Sequence, residues 1–115
     1  MKYCQTNGRS FFSRVAYALY CNNIEFVVNV STERGLRCFL QIRNGKTEIY
    51  MSVKDMIKTN AVGVFLKEAS DFDEVERRIT ARGWVKNDER IFSKEYLTTD
   101  KRAEDDIINF VLEIK

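Results

Sequence analysis

Histidine and proline are both missing from this 115-residue chain. Without histidine there is no Ser–His or Cys–His nucleophile, no imidazole base near neutral pH, and most zinc sites are excluded. An enzyme would have to work with carboxylates, lysine or a thiol, so the reading is of a non-enzymatic protein. Without proline, no position is made to kink or turn by a locked φ. Cysteine is scarce too. The three thiols, Cys4, Cys21 and Cys38, are odd in number and form no CxxC pair, which points to reduced thiols in a cytoplasmic setting. They are expected to be small core residues plus one near-terminal thiol. No apolar run approaches the roughly 20 residues needed to cross a bilayer, which argues against a membrane partner. The opening MKYCQTNGRSFFSR is too polar for a signal peptide. Phosphate loops of the GxxxxGK[ST] or GxGxxG type are also absent, and no cofactor is implied.

What is present suits one compact domain spanning residues 1–115, with 44% hydrophobic and 31% charged residues. The charge is divided unevenly. Residues 1–60 hold nine Lys or Arg against four Asp or Glu, whereas residues 61–115 hold ten against thirteen. The overall charge of +2 hides that split, and a sign asymmetry says more about partners than an average does.

Phe12, Val15, Ala16 and Leu19 fall at helical spacing and predict a helix from Arg9 to Cys21, ending near Asn22-Asn23. A strand follows over Ile24 to Val30. The strongest local signal comes next, because Leu36–Arg43 and Lys46–Val53 flank Asn44-Gly45, the preferred pair for a two-residue type I′ turn. That register sets Arg43 against Lys46 and Phe39 against Tyr50. It places Leu40, Ile42, Ile49 and Met51 together on the core side. The stretch from Val53 to Asn60 reads as a helical turn across the sheet end, and Ala61 to Lys67 as a short buried strand. Ser70 with Asp73 resembles a capping box for a second helix, with Phe72, Val75 and Ile79 buried and Gly83 as its stop. Trp84-Val85 and Arg90–Leu97 form a second hairpin, with Trp84 read as a core anchor. Thr98 or Thr99 caps a last helix with Ile107, Phe110 or Val111, and Ile114 turned inward. The order α-β-β-β-β-α-β-β-α implies an α+β two-layer sandwich. Its sheet should be largely antiparallel, with about three helices mainly on one face.

One surface stands out. The outward side of the first hairpin gathers Phe39 and Tyr50 with Arg37, Arg43 and Lys46, so these five are the candidate site. Rings among cations can stack unpaired bases and neutralise phosphates. The bland alternative is a favourable cross-strand pair with solvated charges beside it. The segment Arg34-Gly35-Leu36-Arg37-Cys38-Phe39-Leu40 resembles the RNP1 strand of RNA-recognition motifs in its basic-Gly start, but lacks that strand's aromatics at the expected offsets. The acidic groups Asp71–Glu76 and Glu104–Asp106 read as solvated helix faces, because adjacent helical residues diverge and no EF-hand pattern accompanies them, so no metal is expected. Arg77, Arg78 and Arg82 form a local basic group.

These observations lead to a small binding protein, an adaptor or inhibitor, that engages a macromolecule through its sheet. A phage or mobile-element regulatory protein would suit the size. A protein partner is favoured over nucleic acid because a net +2 is small for phosphate binding. The rival reading is a single-stranded nucleic-acid binder using the five residues above. A carboxylate or cysteine enzyme comes last, and an exposed sheet edge leaves a homodimer open.

Overall fold

Side chains that alternate with a period of two build a sheet with one apolar side, and that pattern governs the whole molecule. The computed structural model describes residues 10–31 and 37–114. Among them the elements are α1 (Phe11–Cys21), β1 (Glu25–Ser31), β2 (Arg37–Asn44), β3 (Thr47–Asp55), β4 (Thr59–Glu68), α2 (Phe72–Ala81), β5 (Val85–Asp88), β6 (Ile91–Leu97) and α3 (Ala103–Glu113). The six strands pair antiparallel throughout, in the spatial order β1-β2-β3-β4-β6-β5. The first four form a meander. The chain then leaves β4 through α2, lays β5 at the far edge and returns as β6 between β4 and β5. The result is an α+β globule with the expected element order.

Leu40, Ile42, Ile49, Met51, Val62, Val64, Leu66 and Phe92 all point to one side of the sheet. They share a single core with Val15 and Leu19 of α1, Val75 and Ile79 of α2, and Ile107, Phe110 and Val111 of α3. Each such side chain contributes about 1.5–3 kcal/mol on burial. The three helices therefore cover the same, inner face. Trp84 is buried and stacks on Phe110 with ring centroids 4.4 Å apart, as its reading as an anchor requires. Among the described residues, no helix is long and apolar enough to cross a membrane.

The helix ends differ from expectation in detail. α1 is capped by Ser10, whose hydroxyl accepts from the Ser13 amide at 3.2 Å, while Arg9 lies outside the described residues. At its far end Asn23 takes a φ of 57°, a conformation asparagine tolerates well. Asp71, not Ser70, caps α2, accepting from the Glu74 amide at 3.1 Å. α3 starts at Ala103, and its N-cap Arg102 supplies no side-chain bond, so neither Thr98 nor Thr99 caps it. The anticipated helical turn between Val53 and Asn60 is instead a hairpin. β3 runs on to Asp55 and β4 begins at Thr59, with the Met56 amide donating to the Thr59 carbonyl at 2.9 Å. Cys21 and Cys38 are exposed and unpaired, not core residues; Cys4 lies outside the described residues.

The first hairpin holds its faces but not its register. Asn44 pairs with Thr47, so the two turn residues are Gly45 and Lys46, and Gly45 alone of the pair has positive φ, at 63°. Glycine at the first central position marks a type II′ turn. Long-range contacts explain the shift. The Asn44 amide donates to the Val111 carbonyl at 3.0 Å, and the Thr47 hydroxyl to the Ile114 carbonyl at 2.9 Å. Both side chains satisfy carbonyls that the end of α3 would otherwise leave unpaired, which recruits Asn44 into the strand.

Candidate functional site

The outer face of the sheet carries no helix among the described residues. Its positions are the alternate residues of each strand, including Val27 on β1, Phe39, Gln41 and Arg43 on β2, and Glu48, Tyr50 and Ser52 on β3. Gly63, Phe65 and Lys67 follow on β4, and Ile91 and Ser93 on β6. In the observed register Arg43 lies opposite Glu48, and Tyr50 opposite Gln41 rather than Phe39. The shift of two residues preserves side, so Phe39 and Tyr50 remain neighbours on the diagonal, with centroids 5.5 Å apart.

The aromatic pair extends into a row. Tyr50 lies directly opposite Phe65 of β4, ring centroids 6.1 Å apart, and Phe65 lies opposite Ile91 of β6. Both tilted ring pairs have centroid separations within the range of favourable aromatic contact. The Lys67 ammonium stands 6.0 Å from the Tyr50 ring. Phe65 and Ile91 are 36% and 41% exposed and Val27 is 54% exposed, so the row ends in open apolar surface on both sides. A protein normally hides side chains of this kind, and their alignment across strands is what distinguishes this face from scattered exposure.

Beside the rings runs a chain of polar contacts. The Asn29 amide donates to Gln41 at 2.9 Å, and Gln41 donates to Glu48 at 2.5 Å. Arg43 reaches Glu48 at 3.2 Å and Glu68 at 3.7 Å. Glu48 is buried, 6% exposed, and the arginine opposite it supplies the charge that its burial demands.

Of the five candidate residues, the structure brings together Phe39, Tyr50 and Arg43, and Arg43 is committed to two carboxylates. Lys46 sits apart, in the turn at the sheet end, where it lines a groove with Ser70, Asp71 and Glu74. The Arg37 backbone belongs to β2, but its side chain lies outside the described residues. Sequence reasoning missed Phe65, Ile91 and Lys67. Alternation in β4 was the available signal, since Val62, Val64 and Leu66 turn inward while Gly63, Phe65 and Lys67 turn out.

The remaining charge clusters are occupied. Arg77 and Arg78 pair with Glu74, and Lys86 with Glu76. Arg14 binds Glu104 at 3.1 Å. Asp106 is not a solvated acid. It accepts from the Tyr96 hydroxyl at 2.6 Å, from Lys94 at 3.0 Å and from Arg82 at 3.1 Å, and Arg82 also pairs with Glu113. Burial pushes the Asp106 carboxyl up, but the three donors outweigh it and hold the group below its ordinary value. Burial, with the Asp106 hydrogen bond, drives the Tyr96 phenol well above its ordinary value. This cluster fastens α3 to β6 and the end of α2, on the helix side of the sheet. No family model, curated protein or solved structure matches the chain.

Proposed function

We propose that this chain is a non-enzymatic binding protein, an adaptor or inhibitor, that engages a protein partner through the outer face of its sheet. The observation that carries the reading is the uncovered row Phe39–Tyr50–Phe65–Ile91, set beside a polar network in which Arg43 is paired with Glu48 and Glu68. Rigid aromatic side chains with little entropy to lose, rimmed by satisfied polar groups, are the composition of an interface centre. A phosphate-binding face needs uncommitted cations, and Arg43 is engaged on both sides by Glu48 and Glu68. Exposed, unpaired Cys21 and Cys38 fit a reducing, cytoplasmic setting.

Lys67 beside Tyr50 favours the second reading, a single-stranded nucleic-acid binder, and one pair of assays separates the two. Tagged wild-type protein recovered from its native cell is expected to retain a protein that the Tyr50→Ala/Phe65→Ala variant loses. Neither form should shift a fluorescent oligonucleotide. Oligonucleotide binding that weakens steeply with salt and vanishes in the variant would overturn the protein-partner reading.

A further inference from the structure

The two edges of the sheet are built differently. β5, at one edge, has four residues, a register irregularity between Lys86 and Asp88, and the polar run Lys86-Asn87-Asp88. Short length, a bulge and charge are the usual devices that stop an edge from recruiting another strand. β1, at the other edge, has none of them. It has seven residues, EFVVNVS, that pair with β2 in unbroken register, and its single charge is Glu25 at one end. Val27, Val28 and Val30 are 54%, 47% and 56% exposed. Val28 and Val30 have the inward parity of Leu40 and Cys38, yet the described helices leave them uncovered.

We propose that β1 pairs with β1 of a second copy, antiparallel about a two-fold axis through Val28, joining two six-stranded sheets edge to edge. Side-chain parity limits the registers. Residues directly opposite in an antiparallel pair point to the same side, so continuing both sheet faces requires the axis to pass through a residue rather than between two. Of those registers, the one centred on Val28 uses the whole strand. It sets Phe26 against Val30 of the second copy and Val28 against its own equivalent on the inner side. On the outer side Val27 meets Asn29, and the backbone register sets Glu25 opposite position 31. No like charges face each other, and the two exposed valines of inward parity, Val28 and Val30, acquire apolar partners. A strand that is its own complement in this way is what an isologous interface requires. The proposal is independent of the outer-face reading, because it uses the backbone of an edge and the rings remain open on either side of the seam.

The test uses the full chain and light scattering coupled to size exclusion, over a concentration series. Wild type is expected at twice the 13.5 kDa of one chain. Val28→Lys would place two ammonium groups opposite each other and should weaken the dimer at least about a hundredfold. Val28→Glu should do the same, and an equimolar mixture of the two variants should recover a dimer of one copy each. Val85→Lys, on the defended edge, should leave the dimer intact, and circular dichroism reports whether each variant is folded. A wild type that stays monomeric throughout would overturn the proposal. So would a Val28→Lys protein that stays dimeric, or a mixture that fails to pair.

Discussion

Replacing Asp106 by Asn removes the charge on which three donors converge while keeping the size of the side chain. Tyr96, Lys94 and Arg82 would then face an amide that can accept on one side only, and its NH2 group would meet at least one of the donors. Hydrogen bonds to a charged group are worth about 1.5–3 kcal/mol each. The Asp106 side chain is 29% exposed, so solvent screening brings the net loss for the cluster to about 2 kcal/mol. For a chain of 115 residues that corresponds to a fall in melting temperature of roughly 8 °C. The effect has a pH signature. Because the folded-state carboxyl is held below its ordinary value, its contribution is complete at neutral pH. It begins to fade as pH drops through the unfolded value, about 4, and is gone below the folded one. The gap between wild type and Asp106→Asn should therefore narrow steadily in acid. Urea titrations followed by circular dichroism at several pH values measure it, and a double-mutant cycle with Tyr96→Phe isolates the hydroxyl. A loss under about 0.5 kcal/mol at neutral pH, or a gap that does not change in acid, would refute the reasoning.

Two other outcomes follow from the same core. Asn44→Ala should cost about 1 kcal/mol and speed amide exchange in the last turn of α3, because the Val111 carbonyl loses the bond that ties it to the hairpin. Trp84 is the single tryptophan, 3% exposed and stacked on Phe110, so its fluorescence should be blue-shifted and shielded from acrylamide until the chain unfolds; a red-shifted, readily quenched native spectrum would contradict its placement.

The parts of the fold legible in the sequence were those set by neighbours along the chain. Period-two alternation placed Leu40, Ile42, Ile49 and Met51 on one face without any knowledge of the rest. The element order followed from hydrophobic periodicity and turn residues, although the caps of α2 and α3 lay elsewhere than expected. Register was not local. Which of Asn44 and Lys46 joined Gly45 in the turn was settled by the Val111 and Ile114 carbonyls, whose partners Asn44 and Thr47 lie 67 residues earlier. That one shift set Arg43 against Glu48 and turned an apparent free cation into half of an ion pair. Phe65 and Ile91 joined the candidate surface only once β4 and β6 were known to be neighbours. Asp106 was hidden in an acidic run, yet a signal existed, because Lys94 shares the inward parity of Phe92 and Tyr96 and an inward lysine needs an acid.

The outer face as a recognition surface is tested most directly by site-specific photo-cross-linking in the cell that makes the protein. A photoreactive phenylalanine analogue at Phe39 or Phe65 should trap a protein partner, and the same group at exposed Asp73 on α2 should not. Equal trapping at all three positions, or adducts with nucleic acid alone, would contradict the account.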